Sequence, residues 1–127
     1  LSGYKAHFLG QLYDDVSLAC LYNAADITLV TSLSENLSYT IMESLSCGTP
    51  VVAFNVGGNA DLIDDRQNGY LASAYDTAQI AEGILWSMEN NKGQKLSKHA
   101  RQKVLENYAL EVIAHKYIKL YNEVAQQ

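Results

Sequence analysis

Two short apolar runs constrain the fold of this chain more than any other feature of its sequence. They are ITLVTS, at residues 27–32, and VVAFN, at residues 51–55. A half-exposed strand alternates apolar and polar residues, whereas a continuous apolar run is typical of a strand buried on both faces of a parallel sheet. Residues 37–46 separate the two runs and carry apolar side chains at helical spacing. The sequence therefore predicts a strand–helix–strand unit with a right-handed crossover.

The same alternation continues on both sides of this unit. AHFLG, at residues 6–10, has the pattern of a strand, and Asp14 and Asp76 each precede a helical pattern in the position of an N-cap. The elements expected downstream are a short helix over 60–64, a brief strand over 70–75, and helices over 76–89, 95–106 and 110–125. We therefore expect an α/β fold, with a partial Rossmann-like parallel sheet, flanking helices and a helical C-terminal tail.

Composition narrows the classes of function. The 127 residues fit one domain, and the formal net charge of -5 without a basic stripe argues against a nucleic-acid partner. No apolar run approaches the roughly 18 residues that a membrane span needs, and we expect no signal peptide and a cytoplasmic protein. Cys20 and Cys47 lie in apolar runs and lack the CxxC spacing of a metal or redox pair. We expect both to be buried, reduced thiols.

Two loops occupy the position where sheets of this kind bind ligands, outside the carboxyl ends of the strands. They are residues 32–38 and residues 55–59. A helix that begins near Leu37 or Ser38, with Ser38 as its N-cap, would point free N–H groups into this crevice and attract a phosphate. Glu35 in the loop and Glu43 in the helix would accept hydrogen bonds from hydroxyls on either side of it. A nucleotide sugar has this arrangement of groups.

The segment SLSENLSYTIMESLSCGTPVVAFNVGGNADLI resembles the donor-binding segment of the group 1 glycosyltransferases, family 4 of the sequence classification. These are retaining enzymes with the two-domain GT-B fold. Their signature is a glutamate, seven residues, a second glutamate, a CGTPVVA stretch and a Gly-Gly turn. Here these elements are Glu35, Glu43, residues 47–53 and Gly57-Gly58. Their order and spacing are more specific than any one of them.

The resemblance implies a role for each of these residues. Glu43 would bind the ribose hydroxyls, and Glu35 would be the catalytic residue that faces the transferred sugar and supports positive charge at its anomeric carbon. The backbone N–H groups of the segment that follows Glu35 would hold the distal phosphate and the sugar; these residues are Asn36, Leu37, Ser38 and Tyr39. Asn36-Leu37-Ser38 replaces the Gly-Phe-Gly of many members. The family generally needs no metal and no other cofactor.

Two of these assignments have open alternatives. Gly57 and Gly58 are expected to form a tight turn, and whether they also contact the sugar donor is open. Tyr39 either lines the donor pocket or packs at its boundary.

A full member of the family also has an N-terminal acceptor domain and further strand–helix units ahead of the motif. The resemblance implies that residues 1–127 are one donor-binding domain fragment, without that acceptor domain and those first units, and inactive in isolation. In the family's sheet order, a missing strand lies between AHFLG and ITLVT. We therefore expect either a compacted sheet with AHFLG beside ITLVT or a dimer of the fragment.

The function implied is transfer of a hexose or N-acetylhexosamine from a UDP- or GDP-sugar to a glycan or lipid-linked acceptor, in envelope polysaccharide synthesis. Acceptor contacts would lie in the missing domain, and peripheral attachment of the full enzyme to the inner face of the membrane is compatible with this function. The alternative is a non-catalytic nucleotide-binding or regulatory α/β module, such as a response-regulator-like domain. That class requires an acidic cluster at strand ends, for which Asp14-Asp15 is the candidate, and no lysine is placed to complete it.

Overall fold

The computed structural model describes residues 3–126. Helices and strands alternate until the last third of the chain, which is helical. The strands are β1 (Thr28–Val30), β2 (Val51–Phe54) and β3 (Gly69–Ala72). The helices are α1 (Asp15–Ala24), α2 (Tyr39–Ser46), α3 (Asn59–Leu62), α4 (Thr77–Asn90), α5 (Lys95–Asn107) and α6 (Leu110–Ala125), with a 3-10 turn at Lys92–Gln94.

The three strands form one parallel sheet in the order β1-β2-β3. β2 is the central strand, and its side chains alternate between two cores. Val51 and Ala53 pack with residues of α2 and α5, while Val52 and Phe54 pack with Tyr70 and residues of α4. Burial on both faces is the reason for the continuous apolar run in the sequence. The predicted parallel α/β sheet with flanking helices and a helical tail is confirmed.

Aspartates start two of the helices as predicted. The carboxylate of Asp14 accepts a hydrogen bond from the N–H of Ser17 at 2.8 Å, and that of Asp76 accepts one from Gln79 at 2.9 Å. Each bond satisfies an N–H group that the first turn of a helix leaves without an intrahelical acceptor. The bond to Ser17 is the main cause of the lowered pKa of Asp14, because it favours the ionised carboxylate.

The strand predicted at AHFLG is wrong. Residues 5–13 have no regular structure, and the side chain of Phe8 is 95% exposed. A strand requires hydrogen bonds from a neighbouring strand, and β1, whose partner is β2, makes none with this segment. The predicted compaction of the sheet, with AHFLG beside ITLVT, is therefore also wrong. The dimer remains a prediction.

Both thiols are less buried than expected. Both cysteines are free, but Cys20 is exposed and Cys47 is only half-buried. Cys20 lies on α1, which packs against α2 and leaves its other faces uncovered. Helical apolar spacing therefore overestimated the burial of α1, because the spacing does not reveal how many elements cover a helix. Among residues 3–126, no helix combines the length and the apolar character that crossing a membrane requires.

Candidate functional site

The two predicted ligand loops lie side by side at the carboxyl ends of β1 and β2. The N–H of Gly58 donates a hydrogen bond to the carbonyl oxygen of Asn36 at 2.7 Å. Gly57 has a left-handed backbone, with φ +51°, and a Cβ placed there would lie 1.7 Å from the carbonyl oxygen of Glu35. A Cβ on Gly58 would lie 2.3 Å from the carbonyl oxygen of Asn36. The glycine turn therefore supports the Glu35–Asn36 backbone at a distance that no other residue type permits.

The helix α2 begins in the crevice, next to this turn. Ser38 is its N-cap residue and is buried, but its side chain makes no capping hydrogen bond. The first turn carries no acidic residue. Its N–H groups have no acceptors within the helix, and the helix dipole adds positive potential at the same end. The N–H groups at the start of α2 are thus not capped by a side chain of the helix, and they are arranged to bind an anion.

The side chains around this start differ in exposure. Asn36 and Leu37 are exposed, and Tyr39 is 77% exposed at the first position of the helix. Leu37 lies against the glycine turn, because its Cδ1 would be 3.3 Å from a Cβ on Gly58. Tyr39 does not contribute to the core and projects beside the start of α2, which leaves both of its predicted alternatives open.

Glu35 is half-buried, and its carboxylate forms neither a hydrogen bond nor an ion pair with another residue of 3–126. Its backbone is fixed by contact with Gly57, while its side chain is left without a structural partner. Carboxylates with a structural role are normally paired or used as caps, as those of Asp14 and Asp76 are. This carboxylate is therefore available to a ligand.

Glu43 lies one turn into α2 and is exposed, but its carboxylate has a partner. The hydroxyl of Tyr22, on α1, donates a hydrogen bond to Oε2 of Glu43 at 3.1 Å. Tyr22 is 8% exposed, and its burial, followed by the hydrogen bond and the charge of Glu43, raises its pKa to about 12. The phenol therefore remains a protonated donor at neutral pH.

Tyr22 is a site residue that the sequence analysis missed. Its position fits the apolar spacing of α1, and that spacing by itself predicts only a packing residue. The available signal was the hydroxyl itself, since a buried tyrosine normally finds a hydrogen-bond partner.

Small polar residues connect α1 with the segment that follows α2. The hydroxyl of Thr49 donates to the carbonyl oxygen of Tyr22 at 2.6 Å. The hydroxyl of Ser44 donates to the carbonyl oxygen of Thr49 at 3.0 Å and lies 2.8 Å from Oγ1 of Thr28. Because Ser44 and Thr49 are buried, these bonds fix the end of α1 against α2 and β1. Thr49, in the Cys-Gly-Thr-Pro stretch, therefore connects α1 to α2 through buried hydrogen bonds.

A cavity of about 740 Å³ lies at the opposite end of the sheet. It is lined by residues at the amino ends of β1 and β2 and by the polar face of α5, including Asp26, Thr49, Lys98 and Arg101. Neither glutamate lines it. We assign the site to the carboxyl ends of the strands, because that is where open parallel sheets bind ligands, irrespective of cavity size.

Two other classes of site find little support. Asp14 caps α1 and follows an irregular segment, so the Asp14-Asp15 pair is not at the end of a strand as a phosphoacceptor site would require. Among the residues that the structure describes, His, Cys, Asp and Glu form no group of three or more that could hold a metal ion.

Comparison with known proteins identifies similar sequences and folds. The family model described as Glycosyl transferases group 1 matches residues 3–103. An N,N'-diacetylbacillosaminyl-diphospho-undecaprenol alpha-1,3-N-acetylgalactosaminyltransferase of Campylobacter jejuni is 30% identical over 125 residues, which are 98% of this chain and 32% of the relative.

Two solved structures extend the comparison. Sucrose-phosphate synthase from Thermosynechococcus elongatus has a TM-score of 0.83 at 30% identity, over 94% of this chain and 30% of the synthase. HepE of Anabaena in complex with UDP has a TM-score of 0.74 at 25% identity, over 81% of this chain and 29% of HepE. The chain thus spans about a third of the length of each of these three proteins.

Proposed function

The chain belongs to the group 1 glycosyltransferases, and from this membership we propose that it forms the donor-binding part of a longer, retaining sugar transferase. The donor proposed is a UDP- or GDP-sugar that carries a hexose or an N-acetylhexosamine. In support, HepE, which is similar in sequence and fold, was solved with UDP. The observation that carries the proposal is the start of α2, which no side chain caps. It follows Glu35, whose carboxylate has no partner among residues 3–126, and precedes Glu43, whose carboxylate is held by Tyr22.

The diphosphate is proposed to bind at the start of α2. The backbone N–H groups of residues 36–39 would donate to its oxygens, and the helix dipole would stabilise the charge that grows on the leaving diphosphate. This charge stabilisation comes from the protein itself, so we propose that transfer needs no metal ion and no other cofactor.

Each glutamate is proposed to serve one end of the donor. Glu43 and Tyr39 are four positions apart and share a face of α2, so a ribose bound by Glu43 would lie beside the first turn that holds the phosphates. Glu35 precedes the helix and would face the sugar on the other side of the diphosphate. Its carboxylate would stabilise positive charge at the anomeric carbon, as carboxylates do in other glycosyl-transfer transition states.

The acceptor proposed is a glycan or a lipid-linked sugar, in envelope polysaccharide synthesis. The name of the Campylobacter jejuni relative contains a diphospho-undecaprenol group, which supports a lipid-linked acceptor. Because this chain spans about a third of that relative, the acceptor contacts are proposed to lie in another part of the enzyme. We place that enzyme in the cytoplasm, at the inner face of the membrane, where a lipid-linked acceptor would be reached.

Calorimetric titration of the chain with UDP, GDP and their sugars tests the proposal. Glu43→Ala should weaken nucleotide binding by roughly tenfold or more, since hydrogen bonds to a charged group contribute about 1.5–3 kcal/mol. Glu89→Ala, on the exposed part of α4, is the matched control and should bind as the unchanged chain does. Glu35→Gln should bind UDP normally and the UDP-sugar more weakly. Unaltered nucleotide binding by Glu43→Ala would show that Glu43 does not hold the ribose.

A further inference from the structure

We propose that Tyr22 is a positioning residue of the donor site, whose phenol holds one carboxylate oxygen of Glu43 so that the other faces the ribose. This inference rests on the proposed role of Glu43. It adds a residue of α1, outside the Glu35–Gly58 segment, to the donor-binding machinery. The contact that carries it is the 3.1 Å hydrogen bond from the Tyr22 hydroxyl to Oε2 of Glu43.

A glutamate on the exposed face of a helix ordinarily moves among several rotamers. Ordering such a side chain when a ligand binds costs free energy, and a hydrogen bond that orders it beforehand removes part of that cost. Glu43 is exposed and forms no ion pair with another residue of 3–126, so the bond from Tyr22 is what restrains its carboxylate. Oε1 is left free to accept hydrogen bonds from the ribose hydroxyls.

Tyr22 is itself held in place from two sides. Its ring is buried, and its carbonyl oxygen accepts hydrogen bonds from the hydroxyl of Thr49 at 2.6 Å and from the N–H of Ala25 at 3.1 Å. Thr49 is buried and tied to Ser44 on α2. Tyr22 on α1 and Glu43 on α2 therefore belong to helices that Thr49 and Ser44 connect, independently of the hydrogen bond between Tyr22 and Glu43. This arrangement is suited to positioning, because the phenol cannot drift with the carboxylate.

The protonation state of Tyr22 agrees with this geometry. Burial raises its pKa to about 12, and the bond to Glu43 acts in the same direction. The hydroxyl therefore keeps its proton and donates a hydrogen bond to Glu43 throughout the neutral range, so no second negative charge lies beside the carboxylate. Phenylalanine at this position would fill the same space and leave Glu43 unrestrained.

The experiment compares a ribose-containing probe with one that lacks the ribose hydroxyls. Tyr22→Phe should weaken binding of UDP, or of GDP if guanine is the preferred base, by about three- to tenfold. Binding of the corresponding 2′,3′-dideoxynucleoside diphosphate should be unchanged, because that probe offers no hydroxyl to Glu43. In the Glu43→Ala background, Tyr22→Phe should cause no further loss. Tyr117→Phe, on the exposed surface of α6, is the matched control, and melting temperatures verify folding.

Three other results would distinguish the positioning role of Tyr22 from the ribose-binding role of Glu43. If Glu43→Ala weakens UDP binding and Tyr22→Phe does not, the positioning role is overturned and the ribose role of Glu43 stands. If Tyr22→Phe weakens both probes equally, its role is structural and the positioning role is again overturned. If Glu43→Ala changes nothing, the proposed function of Glu43 fails and this inference fails with it.

Discussion

The amide nitrogen of Gly58 lies 2.7 Å from the carbonyl oxygen of Asn36, so the loops that follow β1 and β2 are joined directly through their backbones. The contact is possible because the two glycines of the turn carry no Cβ, and it places the turn under the backbone of Glu35. The backbone of Glu35, the proposed catalytic residue, is therefore positioned by the loop of a neighbouring strand as well as by its own.

Gly57→Ala should displace this loop and abolish donor binding. A Cβ at residue 57 would lie 1.7 Å from the carbonyl oxygen of Glu35, and the left-handed backbone adds its own cost. The expected loss of stability is about 2–5 kcal/mol, from strain and overpacking together. Chemical denaturation and UDP titration measure the two effects.

Gly93→Ala is the matched control for the cost of placing alanine in a left-handed backbone conformation. Gly93 also has a positive φ, at 72°, but a Cβ there would meet nothing within 4 Å. It should lose only about 1–2 kcal/mol of stability and bind UDP normally. Normal UDP binding by Gly57→Ala would contradict the idea that the glycine turn supports the site.

Thr40→Asp should prevent diphosphate binding with little effect on the fold. Thr40 is exposed in the first turn of α2, which carries no acidic residue. A carboxylate there would gain about 0.3–1 kcal/mol from the helix dipole, partly offset by about 0.2–0.5 kcal/mol of repulsion from Glu43 three residues later. The melting temperature should therefore change little, whereas UDP affinity should fall at least about tenfold by charge repulsion.

Thr40→Asn provides the control for this charge, since it changes the shape of the side chain in nearly the same way without ionising. Both variants lose the Thr40 hydroxyl, which contacts that of Tyr22, so the charge is measured by their difference, and Thr40→Asn should bind UDP at least about tenfold more tightly than Thr40→Asp. Equal affinities for the Asp and Asn variants would mean that the start of α2 does not receive the diphosphate.

Gly83→Ala should destabilise the protein, although alanine is the better helix former. Gly83 is buried in the middle of α4, where a Cβ would lie 2.5 Å from Cδ1 of Tyr70 and 3.0 Å from Cγ1 of Val52. Overpacking costs about 1–3 kcal/mol, against about 1 kcal/mol gained in helix propensity. Tyr70 has little room to yield, because Trp86 and the guanidinium of Arg66 also contact its ring.

Denaturation of Gly83→Ala beside Ala81→Gly, on the exposed face of α4, separates packing from propensity. Ala81→Gly should lose about 1 kcal/mol. A gain of stability in Gly83→Ala would show that Tyr70 can move aside.

The central part of the fold was predictable from sequence because its signals are local. The apolar run of β2 reflects burial on both faces. Asp14 and Asp76 each accept a capping hydrogen bond from the N–H group three residues later in the sequence. AHFLG was mispredicted because its apolar pattern does not encode whether a partner strand lies beside it. The contact between Glu43 and Tyr22 was missed because it joins residues 21 positions apart in the sequence.

Tyr22 should also make the stability of the protein depend on alkaline pH. Its pKa is raised from the ordinary value of 10.0 to about 12, first by burial and then by the hydrogen bond and charge of Glu43. The folded state therefore favours the protonated phenol more than the unfolded state does. The resulting stabilisation is fully present below pH 10 and is lost as pH rises through about 12.

Denaturation of the unchanged chain and of Tyr22→Phe at several pH values across this range measures the effect. The unchanged chain should lose stability relative to Tyr22→Phe between pH 10 and about 12, and the contribution of Tyr108, whose pKa burial also raises, cancels in the difference. In Glu43→Gln, the pH range over which stability is lost should be narrower but still present. Burial is the largest cause of the raised pKa of Tyr22, and it remains in that variant. Parallel stability curves for the unchanged chain and Tyr22→Phe would show that the phenol is not desolvated in the folded protein.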